Sequence, residues 1–171
     1  MELPKIIFTD IDGVWTDGGM YYDESDTELK KFNTSDSVGV LFAQLLDIPV
    51  VILTGENSLI VKRRAKKLKI KEVYLGAKNK LELAKNVCTS YGFTLSDAAF
   101  IGDDINDLTL LKEVGYAGAP CTSKSYVTRE TDYVTKVKGG EGAFRDFVEH
   151  LFERSNKLEY VLDLYLKNNG H

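Results

Sequence analysis

Short apolar runs alternate along the chain with longer stretches whose apolar positions recur every third or fourth residue. The runs at 5–10, 49–53, 72–75 and 98–102 predict strands, and the periodic stretches at 36–46, 57–68, 78–91 and 104–114 predict helices. Val50, Val51, Ile52 and Leu53 are apolar at every position, as are Ala98, Ala99, Phe100 and Ile101. Strands of that kind belong to a parallel sheet covered by helices on both faces. Shorter strands near 115–118 and 132–135 and a helix from about 142 complete the pattern. The order predicts an α/β fold, a Rossmann-like doubly wound parallel sheet that takes its ligands outside the carboxyl ends of the strands.

The alternation breaks between 16 and 32. Gly19, Met20, Tyr21 and Tyr22, then Glu28, Leu29, Lys30, Lys31 and Phe32, flank a polar turn at 23–26 and read as a β-hairpin. So small an element cannot bury Met20, Tyr21, Tyr22 and Leu29 by itself, so a partner subunit or the parent domain must cover them. The segment 156–171 is helix-prone from Tyr160 to Leu166 and ends in Asn168, Asn169, Gly170 and His171, which are expected to fray.

Composition narrows the function. A length of 171 residues fits one domain, and no linker, repeat or low-complexity tract divides it. With 22 basic against 26 acidic residues and no long basic run, a nucleic-acid partner is not expected. Cys88 and Cys121 offer neither a disulfide framework nor a zinc-ligand spacing, which suits a reducing compartment. No signal-like start and no membrane-length apolar window are present, so a cytoplasmic protein without a membrane partner is expected. His150 and His171 are the only histidines, and neither neighbours a serine or cysteine in a catalytic pattern.

The chemistry gathers at strand ends. Asp10 and Asp12 close the apolar run Ile6, Ile7, Phe8, Thr9, and residues two apart on a fraying strand point the same way. Two carboxylates held so close call for a cation. Thr54 and Gly55 follow the second sheet strand, and Gly102, Asp103, Asp104, Ile105, Asn106 and Asp107 follow the run Ala99, Phe100, Ile101. Lys80 starts the helix that leads to that last strand. All would meet at one edge. A hard ion such as Mg2+ takes carboxylate and carbonyl oxygens, which Asp10, Asp103 and the backbone carbonyl of Asp12 supply. Asp10 can then attack phosphorus to give an aspartyl phosphate, Asp12 can move protons, and Lys80 and Thr54 can face the phosphoryl oxygens.

These motifs in this order resemble the haloacid dehalogenase superfamily of phosphatases: Asp10 to Thr16, Thr54, Lys80, and Gly102 to Asp107. The resemblance implies that Asp103 is a metal ligand, that Asp107 orients Lys80 or a metal-bound water, that Gly55 joins the phosphate site and that Asp104 supports the loop. It also implies a haloacid dehalogenase-like fold without a cap domain, since neither 12–54 nor 54–80 has room for one. The whole length up to about Phe152 looks like the capless members that hydrolyse sugar-acid phosphates, in which hairpins assemble a homotetramer and a neighbour closes each site. Asp17, Gly18, Lys31 to Gly39, Arg64, Gly139 to Gly142 and Arg145 carry that likeness.

Within those members, phosphatases of 3-deoxy-D-manno-octulosonate 8-phosphate typically carry Thr-Gly-Arg where this chain has Thr54, Gly55 and Glu56. Glutamate reverses the local field. Together with Trp15 and Asn33 to Asp36, it favours 2-keto-3-deoxy-D-glycero-D-galacto-nononate 9-phosphate as substrate, with the octulosonate as the alternative. By this resemblance the substrate contacts are Asp12, Asn33, Thr34, Ser35, Glu56, Arg64, Lys67 and Asn106. Arg64 or Lys67 of an adjacent subunit would meet the substrate carboxylate. A receiver-like phosphoacceptor is the non-enzyme alternative, but its acceptor aspartate would have to stand where Thr54 does.

Overall fold

The apolar runs become adjacent strands because only stacked, fully paired backbone can be buried between two helical layers. The computed structural model describes residues 2–25 and 27–168. Its first half contains β1 (Ile6–Thr9), the hairpin strands β2 (Tyr21–Tyr22) and β3 (Glu28–Leu29), α1 (Asp36–Leu45), β4 (Val50–Leu53), α2 (Leu59–Lys67) and β5 (Glu72–Tyr74). The second half contains α3 (Lys80–Ser90), β6 (Ala98–Ile101), α4 (Leu108–Leu111), β7 (Tyr116–Ala119), α5 (Ser125–Thr128), β8 (Tyr133–Val134), α6 (Ala143–Arg154) and α7 (Leu158–Asn168). The main sheet has the order β5-β4-β1-β6-β7-β8, with every pair parallel.

Alternate strand residues serve opposite cores. Ile7, Val50, Ile52, Ala99 and Ile101 pack with Val40, Phe42, Val61, Phe144 and Phe147, whereas Ile6, Phe8, Val51, Leu53, Ala98 and Phe100 pack with Ala84, Val87 and Leu110. The helices start on local signals. The Ser58 hydroxyl accepts from the Ile60 amide at 3.3 Å, and the Asn79 side chain accepts from the Glu82 amide at 3.1 Å. The chain runs outward from β1 through β4 to β5 and then returns to place β6 on the other side of β1. The reversal at β1 is the switch point where such sheets open a crevice.

One expectation changes, and the structure adds detail to two others. The helix foreseen over 104–114 is a 3-10 turn, Ile105–Asp107, followed by the short α4. The carboxylate of Asp107 turns back to accept from the Asp103 and Asp104 amides at 3.0 and 3.3 Å, and this tightens the first turn. The hairpin strands are two residues each, and Tyr22 and Leu29 remain 67% and 62% exposed, so the parent domain does not cover them. The helix-prone end segment forms α7 and packs on the domain: Val161 is fully buried and Tyr165 meets the ring of Phe42 edge-on at 6.4 Å. The expectation of fraying at Asn169, Gly170 and His171 lies outside the described residues. Among the described residues no helix is long and apolar enough to cross a membrane.

Candidate active site

Because Phe8 pairs with both Val51 and Phe100, β1, β4 and β6 end level with one another. Asp10, Thr54 and Asp103 therefore emerge side by side. They line a pocket of ≈ 290 Å³ together with Asp12, Gly13, Gly18, Gly55, Glu56, Asp104 and Asn106. Of the residues named from sequence, the pocket unites Asp10, Asp12, Thr54, Gly55, Glu56, Asp103, Asp104 and Asn106.

Lys80 lies beneath this floor. Its side chain is 1% exposed, with Nζ 2.9 Å from Asp10 Oδ2 and 2.6 Å from Asp107 Oδ1. Burial alone would strip its proton, but Asp10 and Asp107 outweigh that and hold the ammonium above its ordinary range. Burial lifts the Asp10 carboxyl to about 7, with the charge of Asp107 adding to it and Lys80 opposing. Asp103 is pushed to about 8 by burial and then by Asp10, Asp107 and Asp104. The site thus concentrates more negative charge than one lysine offsets.

The donor set fits a divalent ion. Oxygens of Asp10, Asp103 and Asp107 lie within 4.8 Å of one another. Asp107 is already committed to Lys80 and two amides, while Asp10 Oδ1 is buried with no hydrogen-bond partner among the described residues. An all-oxygen site with a free buried carboxylate oxygen suits Mg2+. Gly13 is required beside it: at φ +80 its backbone lies so close to Asp103 that a Cβ would stand 1.9 Å from Oδ2.

The loop after β1 is locked from several sides. Thr16 Oγ1 accepts from the Gly18 amide at 3.2 Å and reaches Asp12 Oδ1 at 3.5 Å. Trp15 is fully buried, donates to Thr9 Oγ1 at 2.9 Å and stacks on Phe144 at 4.9 Å, so it shapes the loop without touching the pocket. The Gly140 amide donates to the Val14 carbonyl at 3.0 Å, and a Cβ on Gly139 would stand 1.8 Å from the Gly13 carbonyl oxygen.

Five residues expected at the substrate stand outside the pocket lining. Asn33 donates to the Gly140 carbonyl at 3.1 Å and accepts from the Ser35 amide at 2.9 Å, which braces the loop. The carbonyls of Thr34 and Ser35 accept from the Ser37 and Val38 amides at the start of α1. Arg64 donates to the Asn33 carbonyl and to Ser37 Oγ at 3.2 and 2.9 Å and lies over the Phe32 ring, so it pins its own 32–37 loop. Lys67 is exposed at the end of α2.

Sequence reading missed Lys30. Its Nζ lies 2.5 Å from Asp12 Oδ1 and 3.7 Å from Glu28 Oε1, and its side chain is 1% exposed. The signal was available in strand alternation: Leu29 faces out, so Glu28 and Lys30 share the inner face.

Comparison with known proteins agrees with this geometry. Residues 65–145 match the model of the haloacid dehalogenase-like hydrolase family. The chain is 34% identical over 157 residues to the 3-deoxy-D-manno-octulosonate 8-phosphate phosphatase of Haemophilus influenzae, covering 92% of this chain and 87% of that protein. The corresponding phosphatase of Moraxella catarrhalis, solved with magnesium, phosphate and the octulosonate, superposes with a TM-score of 0.91 at 31% identity, covering 95% of this chain and 93% of that one. The cobalt-bound Haemophilus influenzae enzyme superposes at 0.86 with 34% identity, covering 91% of each chain. With the acidic pocket, its lysine and these relatives in view, the chain belongs to the haloacid dehalogenase-like hydrolases and is a phosphoric monoester hydrolase among them.

Proposed function

We propose that the chain hydrolyses the phosphate ester of a 3-deoxy-2-keto sugar acid through an aspartyl phosphate on Asp10. The observation that carries this reading is the buried, unpartnered Oδ1 of Asp10 at the pocket floor, with the opposite oxygen held by Lys80. An Asp10 oxygen forms the new bond to phosphorus while the ester P–O bond breaks. That electron pair passes to the sugar oxygen, which takes a proton from Asp12. Water then gives a proton to Asp12 and attacks the phosphorus, and Asp10 leaves. Thr54 and Lys80 offset charge on the phosphoryl oxygens. A divalent ion, held by Asp10, Asp103 and the Asp12 carbonyl, supplies further positive charge when bound.

The octulosonate 8-phosphate takes first place as substrate, because the relatives named above act on it. The nononate 9-phosphate is kept as a second reading on one observation: Glu56 lines the pocket, where a carboxylate accepts sugar hydroxyls and repels an acid group. Among the described residues the pocket lining contains no basic side chain, although a sugar acid brings its own carboxylate. Lys67 or Arg64 of a second copy in a homotetramer would meet it, and Lys67 is the better placed because Arg64 is engaged on its own loop. The test is kcat/KM on both phosphates with wild type and Glu56→Arg. Preference for the octulosonate in the wild type removes the nononate reading. Preference for the nononate, with a ratio moved by about tenfold or more in Glu56→Arg, reverses the order. A monomer in sedimentation at active concentrations refutes the shared site.

A further inference from the structure

The ion pair between the hairpin and the pocket points to a role for Lys30 that the motifs around Asp10 do not contain. Lys30 crosses from β3 to Asp12 over eighteen residues of sequence, and its ammonium is as thoroughly enclosed as that of Lys80. Burying an ammonium is costly unless carboxylates compensate it, so a lysine in this position is held there by its partners. Those partners are Asp12 Oδ1 at 2.5 Å and Glu28 Oε1 at 3.7 Å. Glu28 Oε1 is itself buried and has no hydrogen-bond partner among the described residues, so the lysine is its compensating charge.

The two oxygens of Asp12 consequently differ. Oδ1 takes the Lys30 ammonium and the Thr16 hydroxyl, whereas Oδ2 is buried with no partner among the described residues. A carboxylate that serves as acid and then as base has to keep one orientation toward the reacting atoms, and an ammonium that grips it stops it from rotating away. Lys30 is absent from the pocket lining while Asp12 is part of it, so the lysine acts through the aspartate.

We propose that Lys30 is a positioning residue for proton transfer: its grip on Oδ1 fixes the Asp12 carboxylate in the orientation from which it gives a proton to the departing sugar oxygen and takes one from water. This rests on the reading of Asp12 as the acid and base. In the first half-reaction the carboxyl O–H bond of Asp12 breaks as an O–H bond forms on the leaving oxygen, which keeps the electron pair of the broken P–O bond. In the second, a water O–H bond breaks, its proton returns to the Asp12 carboxylate, and the water oxygen bonds to phosphorus as Asp10 departs. Glu28 tethers the ammonium from the same strand face, so the hairpin becomes part of the machinery rather than an appendage.

The experiment exploits leaving groups. A nitrophenyl phosphate departs without a proton, whereas an alkyl phosphate such as the sugar-acid ester needs one, and kcat/KM reports the step that breaks the ester bond. Asp12→Ala is expected to lower kcat/KM on the alkyl ester by about 10²–10⁴ and on the nitrophenyl ester far less. Lys30→Met should reproduce that contrast, with a loss of about tenfold or more on the alkyl ester and a much smaller one on the nitrophenyl ester. Lys30→Arg should restore part of it. The ratio of the two losses within one preparation does not depend on how much protein is folded. If Asp12→Ala shows the contrast but Lys30→Met lowers both esters equally, the lysine is merely structural and the proposal falls alone. If Asp12→Ala shows no contrast, the reading of Asp12 falls first and the proposal with it.

Discussion

Lys80 offers the sharpest test of how the pocket is built. It stands between two carboxylates, Asp10 and Asp107, whose side chains are 6% and 0% exposed. Lys80→Met keeps most of the volume and removes the charge, leaving both carboxylates buried without a cation. Breaking a buried ion pair in this way costs about 3–5 kcal/mol, a large part of the roughly 5–15 kcal/mol that holds a domain folded. With a urea slope of about 2 kcal/mol per molar, the unfolding midpoint should drop by about 2 M. Trp15, the single tryptophan, is fully buried against Phe144, so its fluorescence reports the transition. The loss should be larger at pH 8 than at pH 6, because an uncompensated Asp10 escapes part of the penalty by holding a proton. Lys80→Met combined with Asp107→Asn should lose less than the two single changes added together, since the second removes one of the stranded charges. A midpoint within experimental scatter of wild type at pH 8 would refute the claim that this ammonium neutralises the floor.

Two further outcomes follow from the same geometry. Asp10 at about 7 and Asp103 at about 8 lie above the ordinary carboxyl value of 3.8 that they regain on unfolding. The folded state therefore holds extra protons in that window, and stability in chelator should decline as pH rises from about 4 to 8. Saturating Mg2+ should flatten the slope, and thermal melts at pH 5 and 8 that shift in parallel with and without the ion would contradict this. Gly13→Ala drives a methyl into Asp103 and should weaken Mg2+ binding by about 10- to 100-fold. Titration of the melting temperature with the ion checks it, and an unchanged midpoint would mean that Asp103 holds no metal.

The alternation of strand and helix, the parallel sheet and the gathering of Asp10, Asp12, Thr54 and Asp103 were legible in the sequence. Each depends on local periodicity and on the rule that parallel strands end on one side. Lys80 was legible for the same reason, as the first residue of the helix that starts at that side and leads on to β6. Other outcomes depended on contacts between residues far apart. Asn33 and Arg64 carry the marks of ligand groups, yet the structure spends them on Gly140 and on the 32–37 loop. The acid-rich turn after β6 shortens its helix because Asp107 folds back on two amides. Lys30 has no sequence signal of its own beyond its place in the hairpin, and only the fold brings the residue after β3 against Asp12. Sequence by itself determined which backbone segments could be buried and which acidic groups would share an edge, because burial and strand direction follow from local pattern. Only the tertiary structure decided which polar side chains face the pocket and which hold the loops together, because a charged group takes whatever partner the packing of distant segments leaves within reach.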